Sequence, residues 1–242
     1  MNTIVGWLLS LMLSFSPTDS SGKTRPFPGH EETALERTAR FTSIASDVYD
    51  VVYDPEVQPL YAGPKGRSRT ALLILAIGFH ESGFAHDVDV GPCYRGPDGQ
   101  SPRCDFGRSA CIMQINVGDG VTPEGYTKAE LFADRKKCVR SALARIRSSM
   151  GECKHLDEKH RLNAYASGVC TRGDEQSEEL WSLMDRFAAR APIPAEEDAV
   201  YMKAASPESV PRSEPASPKD VARRSRVPAL RPSRTRSVSV ER

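Results

Sequence analysis

One carboxylic acid stands where a protein could keep it protonated. All residues from Ala71 to Ile77 are apolar, and Glu81 follows them closely. The run is too short to cross a membrane, and it fits a helix buried on most sides. Burial and the carbonyl end of a helix both disfavour negative charge, so they raise the pKa of a carboxyl group. Glu81 is therefore a candidate proton donor near neutral pH; alternatively, it points into water while His80 and Ser82 cap the helix end.

A second candidate is a polar side chain within an apolar segment. Gln114 lies in residues 109–116, which read SACIMQIN. A buried amide needs hydrogen-bond partners, and a cleft wall that faces a polar ligand would supply them. The alternative is that Gln114 bonds only to neighbouring backbone. Asn116, which ends this segment, joins Gln114 in the predicted substrate-binding set.

Helical periodicity predicts a mainly α domain over residues 29–191 to position these side chains. Apolar residues recur at helical spacing between Glu31 and Val52, and Thr127 and Glu130 have capping-box spacing. Further helices are predicted from Asp134 to Gly151, from Leu156 to Ala166 and from Ser177 to Ala191. Ser68 or Thr70 is expected to cap the apolar helix. Strand signals are nearly absent.

The two ends differ from this domain. Residues 1–28 form an apolar N-terminal segment and a linker rich in Ser, Pro and Gly. The apolar segment has the length of a signal-peptide core, but no Lys or Arg precedes it and no small-residue cleavage pattern follows. It is an export signal, a short anchor, or a helix that docks on the domain or on a partner. Residues 192–242 are predicted to be a disordered tail, because Pro, Ser and Arg dominate there.

Charge is concentrated in the tail. The whole chain has a net charge of +1, yet Pro218 to Arg242 holds eight basic and two acidic residues. This charge could bind nucleic acid, acidic lipid headgroups or anionic wall polymers. Without interleaved aromatic residues to stack on bases, no specific nucleic-acid partner is predicted. An alternative function is that the tail is the active part and the domain its carrier.

All six cysteines lie between Cys93 and Cys170. They contain no Cys-x-x-Cys pair, so no metal site is predicted. An even number in one region favours disulfides and an oxidising destination, and Cys93 with Cys104 is the pair we favour, because both lie in the Gly/Pro-rich loop from Ala85 to Arg108. The alternative is six reduced thiols in a cytosolic protein.

Three segments together resemble the soluble lytic transglycosylase and goose-type lysozyme family. Residues 77–84 (IGFHESGF) are similar to the family's helix ending in Glu-Ser-Gly-Phe, residues 111–115 (CIMQI) to its Gly-Leu-Met-Gln-Ile, and residues 163–168 (NAYASG) to its Ala-Tyr-Asn-Ala-Gly. Their order and separations make the combination more specific than any one segment. The resemblance extends from about Arg69 to Ala191.

The resemblance implies a lysozyme-like single catalytic domain with a groove for the glycan strands of peptidoglycan and no cofactor. Glu81 matches the catalytic acid and Ser82 its serine neighbour. Gln114 matches the cleft glutamine, and Tyr165 the tyrosine whose hydroxyl orients the glutamate. Such a protein would be exported to the cell envelope or periplasm, or be associated with a virion.

The chain departs from the family pattern at two positions. Cys111 replaces a glycine, so the backbone there differs or is held by a disulfide. Ala166 stands where the family has an asparagine, which removes a polar cleft group. This loss supports a rival function, that of a non-catalytic protein that binds glycan or builds an envelope assembly on the same fold.

Two reactions are compatible with Glu81 as the acid. Lysozyme-type hydrolysis needs a second carboxylate, about 5 Å away when retaining and about 6.5–9.5 Å away when inverting. Asp87, Asp89 and Asp105 are the candidates, and none belongs to a recognisable motif. The favoured reaction is that of lytic transglycosylases, in which Glu81 acts first as acid and then as base, and the muramic acid C6 hydroxyl closes on C1 to give a 1,6-anhydro end.

Overall fold

The computed structural model describes residues 2–15, 32–90, 104–118 and 120–193, and this part of the chain is mainly helical. The helices are α1 (Thr3–Phe15), α2 (Ala34–Val52), α3 (Gly66–Ser82), α4 (His86–Asp89), α5 (Cys104–Gly107), α6 (Lys128–Ala133), α7 (Arg135–Glu152), α8 (Asn163–Ser167) and α9 (Asp174–Arg190). A 3-10 helix, Glu158–Leu162, precedes α8. The strands β1 (Ser109–Ala110) and β2 (Ile115–Asn116) pair antiparallel, with Ser109 opposite Asn116.

Helix α3 lies in the core. Every residue from Ala71 to Gly78 is buried, because α3 packs against α1, α2, α7 and α9. A helix with neighbours on all these sides needs no polar face, which explains its continuous apolar sequence. It ends at Gly83, whose φ of 58° is the left-handed conformation that glycine adopts most easily.

Side-chain caps fix the starts of the surface helices. Thr33 and Glu36 form a capping box at the start of α2, and Thr127 and Glu130 form the predicted one at α6. The carboxylate of Asp134 accepts hydrogen bonds from the first amides of α7. These bonds satisfy backbone N–H groups that have no partner within a helix. The sequence prediction of these two later helix starts is therefore confirmed.

The predicted cap of α3 is wrong. The helix begins at Gly66, so Ser68 and Thr70 lie inside it rather than in front of it. The Ser68 hydroxyl is 2.9 Å from the Tyr53 hydroxyl. The Thr70 hydroxyl donates to the Gly66 carbonyl at 2.8 Å and accepts a bond from the Leu60 amide at 2.9 Å. Both hydroxyls join α3 to its neighbours, a use that capping preferences do not reveal.

Two other elements differ from the sequence prediction. The single helix predicted from Leu156 to Ala166 is divided into the 3-10 helix and α8. The segment around Gln114 is a short hairpin whose strands have two residues each. Strands this short show no clear alternation of apolar and polar residues, so the sequence pattern did not predict them. The predicted linker, the centre of the loop from Ala85 to Arg108 and the predicted tail beyond residue 193 lie outside the described residues.

The apolar N-terminal segment is a helix that docks on the domain. The Trp7 indole N–H donates to the Ala191 carbonyl at 2.8 Å. The Phe15 ring lies 4.5 Å from the Phe187 ring and 6.4 Å from the Phe79 ring, measured between centroids. Most apolar side chains of α1 are buried against α2, α3 and α9. Within the described ranges, no helix has both the length and the apolar character needed to cross a membrane.

A buried ionic cluster joins α2, α4 and α7. The Asp89 carboxylate is fully buried and contacts the guanidinium groups of Arg135 and Arg40. Arg135 also pairs with Asp47 at 2.9 Å, and Arg40 pairs with Glu32 at 2.6 Å. Buried charges are tolerated when they are paired and hydrogen-bonded, as these are. The cluster therefore fastens the segment that follows α3 to the two long helices beside it.

The packing of α1 predicts a contrast between two of its leucines. Replacing the fully buried Leu8 by Ala leaves a cavity, so Leu8→Ala should lower the free energy of unfolding by about 2–5 kcal/mol. Leu13, which is 38% exposed, is the matched control, and Leu13→Ala should change it by no more than about 0.5 kcal/mol. Urea unfolding measures both. Equal, small effects would contradict the docked position of α1.

Candidate active site

Glu81 occupies the last turn of α3 and is partly buried. Burial raises the pKa of its carboxyl group from 4.5 to about 7. Among the described residues, none forms an ion pair or hydrogen bond with this carboxyl group. A neighbouring cation would stabilise the ionised form and reverse the shift. An acid of this kind can donate a proton near neutral pH and take one back.

Tyr165 on α8 lies within electrostatic range of Glu81. Burial and the charge of Glu81 both raise the pKa of the phenol, so Tyr165 keeps its proton and can donate a hydrogen bond. The Tyr165 backbone N–H donates to the Ser149 hydroxyl at 2.9 Å, and that hydroxyl donates to the Arg161 carbonyl at 2.8 Å. These bonds attach α8 and the 3-10 helix to α7. Two of the residues predicted from the sequence are thus brought together.

Gln114 ends the turn between β1 and β2. Its Nε2 atom donates to the Cys111 carbonyl at 3.1 Å and lies 3.5 Å from the Cys104 sulfur. Cys111 and Gln114 have φ values of 58° and 46°, a region that favours glycine. The Cys111–Cys138 disulfide joins this turn to α7. Cys111 therefore has a backbone conformation that glycine adopts most easily, and its disulfide holds the turn to α7.

A close contact at Gly78 brings the two segments together. A Cβ atom on Gly78 would lie 2.7 Å from Cε1 of Phe84 and 3.3 Å from Cε of Met113. Gly78 lies one turn before Glu81, and Met113 directly precedes Gln114. The absence of a side chain at this glycine therefore lets the hairpin turn approach the end of α3.

Ser82 and Asn116 have structural roles. The Ser82 hydroxyl donates to the Gly78 carbonyl at 2.9 Å and accepts a bond from the Phe84 amide at 3.1 Å. It thus stabilises the end of α3, as in the alternative drawn from the sequence. Asn116 is exposed, and its side-chain oxygen accepts a bond from the Gly118 amide at 2.9 Å. Contact of either residue with substrate stays a prediction.

Arg145 on α7 is a site residue that the sequence did not single out. One of its terminal nitrogens donates to the Asn116 carbonyl. Its positive charge also lowers the pKa of Tyr165, against the larger effect of burial. Helix α7 contains many basic residues, and no local pattern separates Arg145 from the others. Only the packing of α7 against α8 and β2 gives it this place.

The three candidate second carboxylates have different surroundings. Asp89 is enclosed in the ionic cluster, with guanidinium nitrogens on both of its oxygens. Asp105 pairs with Arg108 at 2.7 Å and is partly exposed. Asp87 lies on α4 and is partly buried. Asp89 is therefore not available to a bound ligand.

The described cysteines are oxidised. Cys153 is joined to Cys170, in addition to the Cys111–Cys138 bond, so the alternative of six reduced thiols is wrong. Cys104 is also disulfide-bonded, but Cys93, its predicted partner, lies outside the described residues. Disulfides persist in oxidising compartments, which is consistent with export. In the described part of the chain, no three His, Cys, Asp or Glu side chains cluster as a metal site would require.

A surface cavity of about 770 Å³ lies along α9 and the 3-10 helix. Its lining includes Lys159, Glu178, Trp181 and Asp185, and Glu81 does not contribute to it.

Comparisons of the chain with protein-family models, curated proteins and solved structures gave no match. A functional proposal for this chain therefore starts from its own residues and from the resemblance of the three short segments.

The contact at Gly78 predicts opposite effects of the same substitution at two helical glycines. Gly78→Ala should lower the free energy of unfolding by about 1–3 kcal/mol, because the new methyl group overlaps the buried Phe84 ring. Gly151→Ala is the control. Among the described residues, no atom beyond its immediate neighbours and its own helix backbone lies within 4 Å of the new methyl group. This change should therefore raise the free energy of unfolding by about 0.5–1 kcal/mol. Urea unfolding checks both, and a stabilising Gly78→Ala would contradict the close contact.

The raised pKa of Glu81 predicts a pH-dependent stability. The unfolded chain loses this proton near pH 4.5 and the folded protein near pH 7, so the folded state binds more protons between these values. The free energy of unfolding should therefore decrease by up to about 3 kcal/mol, relative to Glu81→Gln, as pH rises through that window. Urea unfolding of both proteins at several pH values measures the difference. A pH-independent difference would show that Glu81 is not desolvated.

Proposed function

We propose that this chain is a peptidoglycan lytic transglycosylase with a lysozyme-like fold. In this proposal it cleaves the β-1,4 bond between N-acetylmuramic acid and N-acetylglucosamine and leaves 1,6-anhydro-muramic acid ends. The observation that carries the proposal is the carboxyl group of Glu81, which has a pKa of about 7 and no cationic partner among the described residues. The substrate is inferred from the family that the three segments resemble.

The reaction needs a single proton carrier. Glu81 in its acid form protonates the glycosidic oxygen, and the bond from C1 to that oxygen breaks with the electron pair going to the leaving sugar. The C6 hydroxyl of the muramic acid then attacks C1 and closes the anhydro ring. The Glu81 carboxylate accepts the proton of that hydroxyl and returns to its acid form. Atoms and charge balance without water or a second carboxylate.

Tyr165 and Gln114 support this role for Glu81. A phenol that keeps its proton can donate a hydrogen bond to Glu81 and hold its carboxyl group in one orientation, which makes Tyr165 a positioning residue. Gln114 has its amide nitrogen engaged with Cys111 and Cys104, which leaves the amide oxygen to accept bonds from sugar hydroxyl or amide groups.

The ion pairs of two of the three candidate aspartates favour the one-carboxylate reaction over hydrolysis. Asp89 is bound on both oxygens by arginine and Asp105 is paired with Arg108, so neither resembles the free carboxylate that a lysozyme-type enzyme needs. A hydrolase would have to use Asp87, which lies on α4 and is partly buried. The two disulfides of the described cysteines agree with export to the cell envelope or a virion.

The experiment is zymography on peptidoglycan, followed by mass spectrometry of the soluble products. The wild type should clear the gel, and Glu81→Gln should lose at least about 100-fold in activity, because the amide cannot deliver a proton. The matched control is Glu175→Gln, which removes an exposed carboxylate from α9. This variant should clear the gel as the wild type does. The products should be lighter than reducing-end fragments by one water.

Each alternative predicts a different result. A non-catalytic glycan-binding or envelope-assembly protein, which Ala166 supports, would clear no zone as wild type or as Glu81→Gln. A two-carboxylate hydrolase would release reducing ends, and Asp87→Asn would abolish its activity. Either result would overturn the proposed reaction.

A further inference from the structure

Four of the six basic residues of α7 are paired with carboxylates of the described residues, and Arg145 and Arg147 are not. Of these two, Arg145 is the one that lies beside the candidate active site. The paired residues are Arg135 with Asp89 and Asp47, Lys136 with Asp50, Lys137 with Glu130, and Arg140 with Asp54. Arg145 is partly buried, and no carboxylate of the described residues pairs with it. Its hydrogen bond goes to a backbone carbonyl, which leaves the charge uncompensated.

The position of Arg145 is set by contacts with the segments that carry the site. It donates to the carbonyl of Asn116, two residues after Gln114 on the hairpin. Its charge acts on the phenol of Tyr165, which also experiences the charge of Glu81. A guanidinium group has five N–H donors in a planar fork, and the bond to Asn116 uses one of them. The remaining donors suit a carboxylate, which such a fork binds through two parallel hydrogen bonds.

We propose that Arg145 is a specificity-determining residue that binds a carboxylate on the muramic acid branch of the glycan. The inference rests on the proposed function and deepens it, because N-acetylglucosamine has no acidic group whereas the muramic acid branch has one. The carboxylate belongs either to the lactyl ether of a peptide-free strand or to the stem peptide attached to it. Arg145 thus distinguishes peptidoglycan from uncharged chitin-type glycans.

The test measures binding, so that it does not depend on turnover. Isothermal titration with the Glu81→Gln protein uses four probes: a peptide-free GlcNAc–MurNAc tetrasaccharide, its lactyl methyl ester, the same tetrasaccharide with stem peptides, and chitotetraose. Arg145→Gln and Arg145→Lys are compared in this background. The matched control is Arg147→Gln, because Arg147 is also on α7 and also donates to a backbone carbonyl, that of Gln58.

Arg145→Gln should weaken binding of a carboxylate-bearing probe by about tenfold or more, as loss of a charge-assisted hydrogen bond does. It should change binding of the methyl ester and of chitotetraose by less than about twofold. Arg145→Lys should recover part of the loss, and Arg147→Gln should leave all four affinities unchanged. A loss with the peptide-free acid identifies the lactyl carboxylate, and a loss only with the peptide-bearing probe identifies the stem peptide.

Other outcomes overturn the inference and separate it from the proposed function. If Arg145→Gln weakens all probes equally, or none, the inference fails even where the wild type clears peptidoglycan. If the wild type clears no zone but the carboxylate-selective loss is found, the proposed reaction fails and the inference stands as a binding property. If no probe binds the Glu81→Gln protein, the inference fails as well. Circular dichroism of each variant excludes misfolding as the cause of a loss.

Discussion

The structure around the candidate site depends on one close contact, at Gly78. The Phe84 ring and the Met113 side chain occupy the space that a side chain at this position would need. Because of this contact, the chain that leaves α3 and the hairpin turn that bears Gln114 both cover the last turn of the helix. Glu81 lies in this last turn and is partly buried, and its burial raises the pKa of the carboxyl group to about 7.

Helix α7 holds the surrounding segments in this arrangement. Cys138 links it covalently to the hairpin turn, and Arg135 binds Asp89 in the segment after α3. Arg40 on α2 adds a hydrogen bond to the Phe84 carbonyl at 2.8 Å. The covalent bond and the buried charges act on the flanks of Glu81 rather than on Glu81 itself. These bonds hold the segments beside Glu81 in place, whereas the Glu81 carboxyl group has no ionic partner among the described residues.

Two carboxylic acids near the end of α3 show how surroundings decide a role. Asp89 is completely buried, and arginine side chains compensate its charge on both oxygens. Glu81 is only partly buried and has no such compensation within the described ranges. Desolvation with pairing gives a structural ion, whereas desolvation without pairing favours a protonated acid that can exchange its proton. The same carboxyl chemistry therefore gives a buried ion pair in one place and an acid with a raised pKa in the other.

The sequence alone determined the features that depend on short-range interactions: the mainly helical domain, the caps at Thr127 and Asp134, the continuous burial of α3, and the place of Glu81 after its apolar run. Tertiary structure decided the roles of Ser68 and Thr70 inside α3, the pairing of Cys111 with Cys138, and the uncompensated charge of Arg145. A cap or a helical face is encoded within a few neighbouring residues, so a pattern reveals it. Partners that are distant in sequence meet only when the helices pack, and no local pattern of residues specifies that meeting.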